Sequence, residues 1–329
     1  MPGEAMNGIP TRSLESSKVQ PSAKMIESDG RGEVSLVAFL VDEKHVVGGN
    51  LKGKIRRWRV EDGMEVGTPM DAGDRIFGVA VSRDGKWIVS GGWQSVQVWN
   101  AGSGEKGSEF KGHSCWVQAV DVSPDSTKIA SGSSDWAACV WSLSTGQQLL
   151  RSRRHNDSVF AVKFSPDGHF IATATETMFR IYDSRDGNLV ITVQITDRIT
   201  YSFNNSLAWS SNSKQVFAVS SGKIICLDAS TGATVSQWSI HGDKYNRIAL
   251  ASDGAFIAAS SGSSVSFWDA TTHEQIGSAI QHTTEVRCMA ISANYDIAIG
   301  GGNRITLYSL CNILPFSYCD HVSTFTSRP

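Results

Sequence analysis

An all-β fold of seven repeated four-stranded antiparallel units is predicted by three observations on this 329-residue chain. A large apolar residue closes a short β-branched run at nearly constant spacing. Turn residues recur between the short runs. No segment of about 10–15 residues with helical period lies between them, which excludes a parallel α/β sheet.

The closing residues are Trp58, Trp99, Trp141, Tyr182, Leu227, Trp268 and Tyr308, at steps of 41, 42, 41, 45, 41 and 40 residues. A fixed period of about 40 residues is the mark of a repeat architecture. The repeats occupy about 34–312. One of them shows the internal order. Residues 159–164 read as a first strand, Ser165-Pro166-Asp167-Gly168 as a turn, and 171–175 as a second strand. Residues 179–182 form the third, Asp186-Gly187 turns again, and 189–194 form the fourth. The same order appears in 76–110, with Asp84-Gly85 as its first turn, and in 247–281, with Asp253-Gly254. A four-stranded sheet cannot bury both faces alone. Seven such sheets around an axis bury each face against a neighbour, which gives a seven-bladed β-propeller.

The third repeat carries the most detailed pattern. Gly112-His113 opens it, Ser123-Pro124-Asp125 turns it, and Ser131-Gly132-Ser133-Ser134-Asp135 leads to Trp141. A literal Trp-Asp pair follows at Trp268-Asp269. These residues and the spacing resemble the WD-repeat family over nearly the whole chain. The resemblance implies that the ring closes when an N-terminal strand completes the last blade. Lys24-Met25-Ile26-Glu27 stands where that strand belongs and matches Ser108-Glu109-Phe110-Lys111 before repeat three. The expected organisation is an N-terminal tail over 1–20, a propeller over 21–312 and a C-terminal tail over 313–329. The resemblance also implies a hydrogen-bonded network in repeat three, formed by His113, Ser131 or Ser133, Asp135 and Trp141. His155, His241 and His282 occupy the position of His113. Their repeats lack the Asp, so those blades are expected to rely on packing alone.

Composition narrows the function. The net charge of −2 supplies no basic field for nucleic acid. No apolar run approaches the roughly 18–20 residues of a membrane span. The first thirty residues contain no secretory apolar core, and the six cysteines form no Cys-x-x-Cys pair. Reduced thiols in a cytoplasmic protein are expected, with the nucleus as the other compartment. Catalytic look-alikes fail on context. Gly48 to Lys54 has phosphate-loop spacing, but Ile55 replaces the magnesium-binding hydroxyl. Gly102 to Gly107 fits a dinucleotide fingerprint but lies in a strand-to-strand turn. No His, Cys and carboxylate cluster has ligand spacing. No catalytic residue, cofactor or metal is expected. Arg151-Ser152-Arg153-Arg154 reads as a solvated edge that discourages strand pairing.

Binding is expected where each first strand begins, on the narrower top face. Aligning the turns places Glu33, Arg75, Trp116, Ser158, Phe203, Lys244 and Glu285 there. Two residues on, and so on the same side of each strand, come Ser35, Phe77, Gln118, Phe160, Asn205, Asn246 and Arg287. The candidate protein-binding set is Arg75, Phe77, Trp116, Gln118, Phe160, Phe203, Asn205, Asn246, Glu285 and Arg287. Aromatics and Arg are what interface hot spots use. Phe77 and Phe160 read equally as fillers between blades. Trp93 and Trp136 stand at turns facing this side, exposed or folded back onto their blades. The expected function is a non-catalytic scaffold, a monomer or a subunit of a complex, that binds proteins or peptides and neither nucleic acid nor membrane. Two alternatives stand beside it. One is regulatory, a substrate receptor of a cullin-type ubiquitin ligase or the sensor module of a larger assembly; Tyr182-Asp183-Ser184-Arg185 resembles the Trp-Asp-x-Arg motif of such receptors. A propeller enzyme with a metal in the channel mouth is the third reading.

Overall fold

Short β-branched runs separated by tight turns fold here as antiparallel meanders. The computed structural model describes residues 23–28, 33–195, 206–220, 222–240 and 246–319. The first sheet is β2 (Val34–Phe39), β3 (His45–Asn50), β4 (Lys54–Arg59) and β5 (Met70–Asp71), paired in that order. It is preceded in the chain by β1 (Ala23–Glu27). Next come β6 (Gly78–Val81), β7 (Trp87–Gly91), β8 (Trp93–Asn100) and β9 (Lys106–Val122). β10 (Lys128–Ser133), β11 (Ala138–Ser142) and β12 (Gln148–Arg151) continue from β9, so β6 to β12 form one seven-stranded sheet. Its long strand β9 pairs with β8 through residues 106–116 and with β10 through residues 117–122. It is the outer strand of one meander and the inner strand of the next.

Three further four-stranded sheets follow. They are β13 (Ala161–Phe164) to β16 (Leu189–Gln194), with β14 (Phe170–Ala174) and β15 (Met178–Asp183) between; β17 (Leu207–Trp209) to β20 (Thr234–Ser239), with β18 (Gln215–Ser220) and β19 (Lys223–Asp228); and β21 (Arg247–Leu250) to β24 (Gln275–Gln281), with β22 (Phe256–Ser261) and β23 (Ser264–Asp269). The last is β25 (Cys288–Ile291), β26 (Asp296–Gly301) and β27 (Arg304–Ser309), completed by β1. β1 runs antiparallel to β27, with Met25 opposite Thr306 and Ile26 opposite Ile305. The N-terminal segment therefore closes the final sheet, as the match of Lys24 to Glu27 predicts.

The innermost strands β2, β6, β9, β13, β17, β21 and β25 each touch the next, and β25 touches β2. They surround a channel that widens to about 640 Å³ where the first strands end, lined by residues of all seven, among them Phe39, Val81, Asp121, Lys163, Leu250 and Met289. This is a β-propeller. Its registers repeat. Trp58, Trp99, Trp141, Tyr182, Leu227, Trp268 and Tyr308 each stand opposite an Ile or Val of the second strand. That identity of register explains why a large apolar residue recurs at one spacing: it fills the same gap in every sheet.

The turns between first and second strands stitch neighbouring sheets. One position in them always has positive φ: Gly85, Gly168 and Gly254 in three turns, and Glu43, Ser126, Ser213 and Tyr295 in four. Each of those four side chains reaches the corresponding turn of the preceding repeat. Ser126 and Ser213 Oγ accept from the Asp84 and Asp167 N–H groups at 3.1 and 3.2 Å. Glu43 Oε2 accepts from Ala293 N–H at 2.9 Å, and the Tyr295 hydroxyl donates to Asp253. The hydrogen bond offsets the cost of a left-handed backbone, roughly 1–2 kcal/mol for a non-glycine residue.

The segment after β27 departs from the expected tail. Leu310, Leu314 and Cys319 are buried in a cluster with Phe256 and Tyr295, and the Tyr318 hydroxyl donates to Asp269 Oδ2 at 2.7 Å. Residues 313–319 thus pack on the last two sheets, because Leu310, Cys311, Ile313, Leu314, Tyr318 and Cys319 join one cluster with apolar residues of both. The reading of 313–329 as a tail is corrected for these residues. The expected tail over 1–20 lies outside the described residues, as do 320–329.

Candidate functional site

The network of repeat three is built on β9, β10 and the turn after it. His113 Nδ1 lies 2.9 Å from Asp135 Oδ2, and its Nε2 lies 2.8 Å from Ser131 Oγ. Trp141 Nε1 donates to the same Ser131 Oγ at 2.8 Å. Asp135 also accepts from the Ser114 and Ala137 N–H groups at 3.0 Å each and from Arg151 Nη2 at 3.1 Å. Burial works against its negative charge, but His113, the Ser114 N–H and Arg151 outweigh it and hold the carboxyl well below the usual carboxylate range. Every acceptor position is used for structure. Ser133 Oγ does not meet His113; it accepts from the Asp135 N–H at 3.1 Å and stands 3.5 Å from the Cys115 carbonyl.

Blades without the Asp do not rely on packing alone, and that expectation is corrected for two of them. His155 Nε2 lies 3.0 Å from Thr173 Oγ1 and 3.2 Å from the Tyr182 hydroxyl. His282 Nε2 lies 2.9 Å from Thr306 Oγ1. Thr173 occupies the place of Ser131, a signal legible in the alignment of second strands. Thr306 sits on the third strand, where only the fold could show it. Burial, with the Arg180 charge nearby, pushes the His155 imidazole down to about 4. His241 lies outside the described residues.

The expected rim residues separate into groups. Arg75 is exposed, and Gln118 donates from Nε2 to Ser134 Oγ at 2.7 Å. Phe77 and Trp116 are half-buried and meet edge to face, with ring centroids 5.2 Å apart. Trp93 stands opposite Trp116 across β8 and β9, with centroids at 4.6 Å, and is 45% exposed. The three rings form a continuous aromatic step between the second and third repeats, within the seven-stranded sheet. Trp136 is 37% exposed, and the Arg154 guanidinium stands 4.3 Å from its ring centroid. This places Arg154 on the same rim, where the reading of residues 151–154 as a bare solvated edge is corrected.

Two candidates are not available at the rim. Phe160 is 1% exposed and packs with Phe179 and Leu207, so its filler reading holds. Asn246 is fully buried; its amide nitrogen donates to the Ser260 carbonyl at 3.2 Å and its oxygen accepts from Gly222 N–H at 2.9 Å. Both point between blades because the inner strands twist away from the axis as they rise. Arg287 and Glu285 are at the rim but occupied. Arg287 Nε donates to Glu33 at 3.1 Å and Nη2 pairs with Glu285 at 3.1 Å. Phe203, Asn205 and Lys244 lie outside the described residues.

Little chemistry is gathered elsewhere. Among the described residues no three His, Cys, Asp or Glu side chains stand close enough to share a metal ion. All six cysteines are free thiols, and burial pushes Cys139 and Cys288 up to about 12 and Cys226 to about 11, away from thiolate reactivity. Asp183 pairs with Arg185 at 2.6 Å within its own turn. No helix among the described residues is long and apolar enough to cross a membrane.

A family model described as WD domain, G-beta repeat matches residues 67–100, 104–142 and 146–183. Similar curated proteins include the small ribosomal subunit protein RACK1 of Caenorhabditis elegans, 33% identical over 147 residues, which are 42% of this chain and 44% of that protein. The Neurospora crassa protein of the same name is 31% identical over 150 residues, 42% of this chain and 45% of its own. RACK1y of Oryza sativa is 29% identical over 159 residues, 47% and 44% respectively. The chain thus matches less than half the length of these relatives.

Proposed function

We propose that the chain is a seven-bladed WD-repeat β-propeller and acts as a non-catalytic scaffold that binds partner proteins at the rim where its first strands begin. The observation that carries this reading is the aromatic step of Phe77, Trp116 and Trp93 beside exposed Arg75. A tryptophan left nearly half exposed in a fold with ample core costs solubility unless a partner covers it. The relatives named as ribosomal subunit proteins support a part in a larger, cytoplasmic assembly. They bear on the partner's class only, since each is matched over less than half its length.

The mechanism is presentation by a rigid ring. Phe77, Trp93 and Trp116 stand on or beside strands whose registers are fixed, so these aromatic side chains are held in place before the partner arrives. That lowers the ordering cost of association. The test is a Trp93→Ala, Arg75→Glu variant compared with wild type by affinity purification and mass spectrometry. It keeps the wild-type thermal midpoint and loses most co-purifying partners. Lys44→Glu, on the opposite rim, keeps them. A folded double variant that retains its partners overturns the reading.

A further inference from the structure

Beside the aromatic step lies a recess of about 340 Å³ lined by Ser114, Asp135, Ala137, Arg151, Ser152 and Arg154. Its charge is one-sided. Asp135 is the one carboxylate in the lining, its side chain is 2% exposed, and its oxygens are already filled by His113, two backbone N–H groups and Arg151. The two guanidiniums remain. Arg151 is fixed by Asp135 and by the Gly112 carbonyl at 3.3 Å. Arg154 lies over Trp136, whose φ of 71° turns its ring outward. Among the described residues Arg154 makes no ion pair and the Ser114 hydroxyl no hydrogen bond. A positive head held over an aromatic face, with the Ser114 hydroxyl lining the same recess, is a ready donor set for an anion.

The anion's source follows from the neighbours. Ser114 and Trp116 both belong to the stretch 111–116 of β9 that bulges opposite Trp93 to Ser95, so the recess opens beside the aromatic step. We propose that the recess binds the carboxylate of an acidic residue in a partner peptide, and that an apolar residue of the same peptide packs on Trp116 and Trp93. This rests on the reading of the rim as a protein-binding surface and names what it selects: an acidic residue close to an apolar one. Arg154 and Ser114 supply the hydrogen bonds, and Arg151 adds charge from behind.

The probe is a fluorescein-labelled extended peptide with one glutamate and a leucine two residues later, measured by anisotropy against its glutamine counterpart. The glutamate peptide binds wild type about tenfold tighter, and the preference shrinks as salt rises. Arg154→Glu abolishes the preference at an unchanged thermal midpoint, and Arg154→Lys restores part of it. Trp116→Ala weakens both peptides equally. Equal binding of the two peptides to wild type, no saturable binding of either, or a preference kept in Arg154→Glu overturns the proposal. The two readings fail separately. Loss of partners in the Trp93→Ala, Arg75→Glu variant without any glutamate preference overturns the recess alone. Retention of partners there overturns the rim.

Discussion

At the scale of single residues, hydrogen-bond satisfaction separates structure from function in this protein. Asp135 is buried, charged and fully engaged, which is the condition under which a buried ion stabilises a fold. Its replacement by Ala leaves His113, two N–H groups and Arg151 without their acceptor. We expect Asp135→Ala to lower stability by about 1–3 kcal/mol, and Thr306→Val, which removes one partner of His282, to cost less. Urea midpoints of the two variants give the ranking, and the reverse order would contradict the role assigned to Asp135. The residues of this network were legible in the sequence because they are close in it and follow one pattern. Phe160 and Asn246 were misplaced at the rim because period-two alternation says which side of a strand a residue takes. It does not say whether that side meets the channel or the neighbouring blade.

At the scale of elements, the turns do more than reverse the chain. Along the chain the position of positive φ alternates between a residue that reaches back to the preceding turn and glycine, and Tyr295 and Glu43 follow one another where the ring closes. Sequence reading recognised Gly85, Gly168 and Gly254 as turn residues. It had no reason to single out Tyr295, since the Asp253 that it meets lies 42 residues earlier. Tyr295→Phe keeps the ring packing against Phe256 and removes only the hydroxyl. A loss of about 1 kcal/mol is expected, and Asp253→Ala should cost less in the same background than alone, where it also gives up its bond to the Ala255 N–H. A double-mutant cycle by denaturant unfolding measures the coupling; simple additivity would show that the bond contributes nothing.

At the scale of the whole molecule, the ring is held shut by β1. Ile26 is buried with Val34, Trp58, Ile305 and Leu307, and Lys24 Nζ donates to the Val60 carbonyl at 2.9 Å. The strand therefore joins the last sheet to the first. Removing residues 1–28 uncovers the edge of β27 and should lower the thermal midpoint or bring aggregation through that edge, whereas removing 1–20 leaves β1 in place. Equal midpoints for the two truncations would show that β1 does not close the ring. The sequence by itself determined the repeat and the strand order within it, because each is a local pattern or a fixed spacing; the closing strand and the His113 network followed from the resemblance to the WD-repeat family that Lys24 to Glu27 and the residues of repeat three carry. Only the tertiary structure decided which rim residues face outward, that Trp93 meets Trp116, that Arg154 lies on Trp136 and that residues 313–319 pack. Those outcomes depend on how adjacent blades twist and nest. Contacts between side chains some 20–50 residues apart leave no period in the sequence to read.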